Sequence, residues 1–521
     1  MRTNNILLIL ILLLSLSACK KEREDITTTY TGNVSDRFTQ FGIQGQKIIT
    51  NPSGYAPLTA KIELETAFKT RAVIRVVGKH GDHSDIVKEF NVYDYKHSLP
   101  VMGMYADYDN IVELTLYDEQ GKSMGSSAVA IHTGPVVADL PAIDINVPPA
   151  DGENEMILVS YFGYAEKLQP QKPFVFDKYG DIRWYLDYTN HPQLKDMQFD
   201  DGMELLQNGN LYFGDMSTHA IYEVNYFGEV QNTWDLKSQG YLFHHQVLEK
   251  PDGNFLVSVS KAGLSTVEDF IIEVNRNSKQ VSNVWDLRES LQKDRMTMQL
   301  DESDWIHVNA VEYSPADNCI VVSGRHQGLI KLDMNNNVKW IMGPHRGWDR
   351  AGNGVDLTQK LLRPLDKNGN LITDPAVADG AVNHPDFEWN WYQHAPLLMP
   401  AVHIMCFDNG QTRNFTEEGA YSRAVEFVVD EANMTIQQVW QYGKERGLET
   451  FGAYVSDVDI DPLKHTVIFA PGDVALNNNL VFYGKVIELT ANTSNVVFEA
   501  TIYPPNPYYI LTFHRVEKIK F

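Results

Sequence analysis

The sequence predicts an all-β protein, a six-bladed β-propeller preceded by an N-terminal β-sandwich domain. Three observations carry this. One unit recurs through the later part of the 521-residue chain: an alternating apolar strand, a short polar turn, then a strand ending in an aromatic residue. A second hairpin precedes that unit, so each repeat holds two hairpins, or four strands. Residues 30–147 lack the aromatic repeat but show short alternating strands with turns every ~8–12 residues, the spacing of a sandwich.

From the start of the chain, residues 1–18 are read as an export signal. Arg2 supplies the positive charge, and Ile6 to Leu14 is an apolar run too short to span a bilayer. Leu16-Ser17-Ala18-Cys19 resembles the lipobox of bacterial lipoproteins, which implies cleavage before Cys19 and lipidation of its thiol. Lys20 follows where Asp would retain the protein at the inner membrane, so outer-membrane anchoring is expected, facing the periplasm or the cell surface. Residues 19–29 would then be a tether, and the membrane is met only through the lipid.

Residues 30–147 carry "AKIELETAF", "RAVIRVVGK" and "IVELTLYDEQG" as sandwich strands, and the Pro-containing stretch 137–152 reads as the linker. Residues 148–521 hold the repeats. Their marker aromatics are Trp184, Trp234, Trp285, Trp340, Trp440 and Phe498, spaced by 50–58 residues except for 100 between Trp340 and Trp440. The fifth repeat therefore contains an insertion, placed at 345–390. "MELLQNGNLYFGD", "HHQVLEKPDGNFLVSVS", "HVNAVEYSPADNCIVVSG" and "VDIDPLKHTVIFAPGD" are the preceding hairpins. Six four-stranded repeats at this spacing predict six blades. "ILTFHRVEKIKF" at the end is expected to close the ring.

Composition narrows the function. A net charge of -24 argues against a nucleic-acid partner, which wants a basic surface. Beyond Cys19 only Cys319 and Cys406 remain, both inside apolar strands, so a disulfide framework is excluded by number and they are expected as buried thiols, with a single bridge between them left open.

The first strand of each blade lines a propeller's channel. Aligning the first hairpins on their turns puts Asp201, His245, Asn309, His394 and Asp457 at one level, with His244 replacing His245 if the register slips by one. His307 and Asn309 share a strand face. Arg325 ends the partner strand, which antiparallel pairing returns to the level of His307. His245, His307, Asn309, Arg325 and His394 should therefore converge at one channel mouth. Three histidines raise the question of a metal. Arg325 beside them and the lack of a reinforcing ligand pattern argue against one, and neither metal nor cofactor is expected. The aromatics of "WNWYQH", Trp391 among them, suit a flat aryl ring or simply pack the insertion.

At these residues the chain resembles the bacterial arylsulfate sulfotransferases, exported enzymes that use no nucleotide sulfate donor. "NPSGYAPLTAKIELET", "DWIHVNAVEY", "VVSGRHQGLIKLD", "VKWIMGPHRGW", "EWNWYQHA", "FDNG" and "YSRAVEFVVDEANMTIQQVWQYGKERG" carry the resemblance over about residues 45–515. It implies the same two-domain fold, His394 as nucleophile, and His307, Asn309 and Arg325 as sulfuryl-binding groups. A further histidine maps onto His245, or less well His244. An aryl sulfate donor and a phenolic acceptor are implied, with transfer by a ping-pong route through a sulfo-histidine. Two features depart from the family. No cysteine pair precedes the nucleophile segment, so the loop must be ordered by Trp389 and Trp391, and "AYVSDVD" lacks a threonine some members carry. A neutral imidazole is both nucleophile and leaving group toward sulfur, and His307 or His245 could pass the phenol proton. Sequence alone leaves open an aryl sulfatase and a lipid-anchored propeller that only binds a glycan or a protein. It also leaves the oligomeric state open, a homodimer included.

Overall fold

The computed structural model describes residues 44–149, 155–164, 171–198, 202–295, 301–416, 419–476, 481–505 and 510–521. The signal and tether expected over 1–29, with Cys19, lie outside the described residues, as does Asp201.

Five strands form the N-terminal domain: Gln44–Thr50, Ala60–Val76, Ile86–Val101, Tyr108–Tyr117 and Ser123–Thr133. "AKIELETAF" and "RAVIRVVGK", read from sequence as two strands, are one 17-residue strand. No Gly or Pro separates them, and the junction is absorbed by register shifts on either side of Thr70. The first half of this strand pairs with Gln44–Thr50 and the second with Tyr108–Tyr117, so one long ribbon joins two half-sheets. Ile62, Leu64, Ile74, Val76 and Leu114 point inward by strand alternation. They share one core with Trp184, Leu186 and Tyr222 of the following domain.

The rest is the expected propeller. Strands hydrogen-bond to their neighbours within each sheet: three separate four-stranded sheets, one five-stranded sheet, and a ten-stranded sheet that joins two further four-strand runs. Blade two spans Glu204–Leu205 to Val230–Asp235, blade three Tyr241–Glu249 to Val281–Asp286, and blade four Val308–Ser314 to Val338–Met342. Blade five runs from His394–Met399 to Thr435–Tyr442 and blade six from Asp457–Asp461 to Val496–Tyr503. Blade one takes Met156–Tyr164, Phe174–Asp177 and Ile182–Tyr185, and its inner strand is Ile510–Ile519 from the chain's end. That pairing closes the ring, as "ILTFHRVEKIKF" predicted.

The marker aromatics fall on the six outer strands, and the tryptophans do more than fill space. Trp184 Nε1 donates to Tyr226 O, Trp234 Nε1 to Arg276 O and Trp285 Nε1 to Asp333 O, at 2.8, 2.9 and 2.9 Å. Trp340 Nε1 donates to Glu431 and Trp440 Nε1 to Ser494. Every acceptor lies in the outer turn of the next blade, so each indole latches one blade to its neighbour. The sixth marker, Phe498, has no N–H to donate. There the linker strand Ala142–Val147 pairs with Val496–Tyr503 instead, and Ile143 sits against Gly180 in the outer turn of blade one.

The insertion between blades four and five adds Arg363–Leu365 in parallel to the outer edge of blade five. Trp389 Nε1 donates to Val377 O at 3.0 Å, and the ring packs edge-on against Phe387. Packing thus orders this loop, as expected from the missing cysteines. Cys319 and Cys406 are buried free thiols, and burial raises both pKa values, Cys319 to about 11.

Candidate active site

Inner strands break register at the same level in four blades: between Phe243 and Val247, Val308 and Ala310, His394 and Leu397, and Phe513 and Val516. Such bulges re-aim side chains. His245, His307 and Ala395 take positive φ of 51°, 52° and 45°, a strained choice for non-glycine residues that marks functional sites. The result is a ring of imidazoles at one channel mouth. The His245 and His307 ring centres are 4.9 Å apart, His245 and His514 5.8 Å, and His394 and His514 5.7 Å. Arg325 N donates to His307 O at 2.9 Å, so the strand end returns to that level as pairing required.

Of the predicted residues, His245, His307, Asn309, Arg325 and His394 all come together. His244 is buried beside His245, with ring centres 5.4 Å apart, but His245 is the one facing His307 and His514. Asp457 does not join them. It lies in the channel, accepting from Val516 N at 2.9 Å and facing Arg515.

The segment carrying His394 is held from every side. Trp391 N donates to Asp408 Oδ1 at 2.8 Å, and Asp408 is itself fixed by Arg413 and Arg423. Gly410 N donates to Trp391 O. Gly410 has a φ of 74°, and a Cβ there would sit 1.9 Å from Tyr421 O, so only glycine fits this turn. Gln393 bonds Ser323 and Gly324 O, and Asn309 Nδ2 donates to Gln393 O at 2.7 Å. One N–H of Asn309 remains for a ligand.

His394 Nδ1 lies 2.7 Å from Asn409 Oδ1 and 3.2 Å from Tyr392 O. Both are acceptors, because Asn409 Nδ2 is committed to Gly452 O and Val455 O at 2.9 and 3.1 Å. The proton is therefore on Nδ1, and Nε2 carries the lone pair. Burial, with His514 and Arg325 nearby, holds His394 well below the usual histidine range, so the ring is neutral near pH 7.

His307 is the opposite case. Burial opposes its charged form, but hydrogen bonds to Asp304 and Glu268, at 2.8 and 3.0 Å, outweigh that and raise its pKa. Glu268 also reaches His245 at 3.3 Å. Despite burial, its carboxyl is held well below the usual range, chiefly by His245 and His244. One imidazole of the ring is thus shifted toward its neutral form and another toward its cation. Arg325 adds a guanidinium above the Tyr392 ring, 5.2 Å from its centre. Two trios, His244–His245–Glu268 and Asp304–His307–His326, hold donor atoms within 4.8 Å of one another and are the described groups that could take a cation.

Sequence reasoning missed four of these groups. His514 sits in the closing strand, and Asn409 in the "FDNG" turn that had been noted only for its resemblance. Glu268 and Asp304 lie in loops outside the repeat register.

A propeller that gathers a neutral imidazole, a cationic one and a guanidinium around one point has the make-up of an enzyme that moves an anionic group. Comparison with known proteins gives the family. The arylsulfotransferase (ASST) family model matches residues 145–509, and the arylsulfotransferase Ig-like domain matches 47–134. The chain belongs to this family, and it is an enzyme of that class. It is 26% identical to the arylsulfate sulfotransferase of Escherichia coli O6:H1, with 88% of this chain and 90% of the relative covered. It is 27% identical to that of Lelliottia amnigena, with 91% and 93% covered. Among solved structures, virginiamycin B lyase from Staphylococcus aureus aligns over 79% of this chain and 94% of its own, with a TM-score of 0.33 and 10% identity, too distant to bear on function.

Proposed function

We propose that the protein transfers a sulfuryl group from an aryl sulfate to a phenolic acceptor in two steps through a sulfo-histidine at His394. The observation that carries this reading is the locked tautomer of His394, neutral and with its Nε2 lone pair available. Nε2 attacks sulfur, an N–S bond forms, and the aryl O–S bond breaks with its electron pair leaving on the phenolate oxygen. His307 or His245 gives that oxygen a proton. Arg325, Asn309 and cationic His307 neutralise the sulfuryl oxygens, which are negative throughout. In the second step the acceptor phenol returns a proton to the same imidazole, attacks sulfur and displaces Nε2. Asn409 keeps the released imidazole in the reactive tautomer.

The test uses donor alone. Brief exposure to a chromogenic aryl sulfate should release one equivalent of phenol and leave the protein one sulfuryl group heavier, with the label on the His394 peptide. His394→Asn should abolish both. A label that survives in His394→Asn, or maps to a serine or tyrosine, would overturn the reading, as would phenol release that needs both substrates bound. Steady hydrolysis, unchanged by added phenol, would make the enzyme a sulfatase.

The same reading includes export and anchoring through Cys19, motivated by Leu16-Ser17-Ala18-Cys19. Palmitate labelling in cells should be lost in Cys19→Ala, and labelling that persists there rejects the anchor.

A further inference from the structure

One buried histidine of the site has no part in the reaction as proposed. His326 lies in the turn between Cys319–Gly324 and Gly328–Asp333, is 6% exposed, and has no hydrogen-bond partner on either ring nitrogen among the described residues. Its ring centre is 5.3 Å from that of His307, and its backbone N–H donates to Ile306 O at 3.2 Å. Asp304 Oδ1 is likewise buried without a partner. Asp304 Oδ2 lies 2.8 Å from His307 Nδ1 and 3.7 Å from His326 Nε2. Glu268 Oε2 comes to the same His307 nitrogen at 3.0 Å. A buried imidazole with both nitrogens unpaired is costly, and so is an unpaired carboxylate oxygen beside it.

Two carboxylates therefore converge on one nitrogen that holds a single proton, next to an imidazole with an unused lone pair. Acceptors outnumber donors there. One ligand atom from each of Asp304, His307 and His326 falls within 4.8 Å of the other two. Ligands ~2.0–2.2 Å from a tetrahedral zinc ion lie roughly 3.3–3.6 Å from one another, so the observed 2.8 and 3.7 Å need shifts of about half an ångström or less. Two imidazoles with a carboxylate suit zinc, whereas magnesium and calcium take oxygen ligands. The sequence argued against a metal because no ligand pattern reinforced the histidines and Arg325 lay beside them. In the fold, Asp304 and Glu268 arrive from loops outside the repeats, and the Arg325 guanidinium is engaged by the Tyr392 ring and by Gln411 Oε1 at 3.1 Å.

We infer that Asp304, His307 and His326 form a zinc site, and that bound zinc slows sulfuryl transfer. The ion takes Nδ1 of His307, whose proton goes to solvent. Nε2, the nitrogen left for the substrate, then keeps one N–H on a ring with no further proton to spare, since giving it up would leave an imidazolate. The leaving phenolate departs without a proton from His307. The slowing rests on the sulfuryl-transfer reading; the binding does not, and is measured without turnover.

The experiment has a binding arm and a rate arm. Cobalt(II), a spectroscopic stand-in, is titrated into metal-free protein and then displaced with zinc. Wild type should develop the visible absorption of a four-coordinate cobalt site, saturating at one equivalent and lost on adding zinc. The midpoint should weaken at least about tenfold in His326→Gln, since even groups behind a metal ligand contribute roughly 10–100-fold. Asp304→Asn should weaken it similarly, and decides should His326→Gln not fold. No such absorption in wild type overturns the proposal, as does a midpoint that His326→Gln leaves unchanged. Absorption kept in His326→Gln but lost in His244→Gln would assign the ion to the neighbouring trio and overturn it too. In the rate arm, single-turnover phenol release is compared in zinc and in chelator. Release from phenyl sulfate should fall about tenfold or more with zinc, because a general acid contributes ~10²–10⁴-fold, and chelator should restore it. Release from 4-nitrophenyl sulfate should fall less, because its phenolate leaves without help. Bound zinc that slows neither donor overturns the regulatory role and assigns the proton to His245; equal slowing of both overturns the proton argument. No release from any aryl sulfate by metal-free protein would reject sulfuryl transfer itself, while the cobalt spectrum would still report on the site.

Discussion

Replacing Asn409 by Ala removes the acceptor that holds the proton on His394 Nδ1. What remains is Tyr392 O at 3.2 Å, longer than the 2.7 Å contact that is lost. A hydrogen bond of this kind inside a buried site contributes about 1.5–2.5 kcal/mol to the choice of tautomer, toward the upper end of the usual range. Every 1.4 kcal/mol is about tenfold in rate, so kcat/KM should fall by about ten- to sixtyfold. Stability also falls, because Val455 O loses its donor, at about 1–3 kcal/mol for a buried group left unsatisfied, while Gly452 O keeps the Ser422 hydroxyl at 3.2 Å. The assay is single-turnover phenol release across pH, with thermal unfolding measured in parallel. Asn409→Asp separates the two effects. It keeps an acceptor near Nδ1 but turns an oxygen toward both carbonyls, so it should destabilise the fold. Its negative charge should also raise the His394 pKa and move the acid limb of the profile upward. If Asn409→Ala retains kcat/KM within threefold of wild type, the tautomer argument is wrong.

Other expectations follow from the same geometry. Arg325→Lys keeps the charge but not the planar fork, and should lower turnover at least about tenfold with folding intact; wild-type activity would show a peripheral residue. The pH profile should be a bell. Activity rises as His394 loses its proton, well below the ordinary 6.5, and falls as His307 loses its own, above 6.5. Asp304→Asn removes one of the two carboxylates that hold His307 cationic, so the alkaline limb should move to lower pH; an unmoved limb assigns it to another group. Trp285→Phe retains the ring but loses the 2.9 Å bond to Asp333 O, and should destabilise the protein by about 1 kcal/mol in denaturant titration, whereas Trp285→Ala should cost about 3–5 kcal/mol. Equal losses in the two variants would mean that the indole N–H contributes nothing to joining the blades.

The sequence by itself determined the four-stranded repeat of the propeller and the level at which His245, Asn309 and His394 meet. These depend on short-range patterns: alternation sets the face of each strand, turn residues set its end, and the repeat copies both around the ring. Arg325 was legible for the same reason, since antiparallel pairing within one hairpin fixes its height. Tertiary structure alone decided the rest. His514 reaches the site because the chain's last strand crosses to blade one, a pairing over more than 300 residues that no local pattern marks. Asn409 is fixed by Gly452 and Val455 from the next blade, and Glu268 and Asp304 meet His307 from loops with no repeat register. The choice between His244 and His245 turned on a bulge, and because side chains alternate, one residue of slip exchanges the faces. The opposite pKa shifts of His394 and His307 arise from burial and neighbours brought from separate blades. Those are properties of the closed ring, absent from any segment of the chain taken alone.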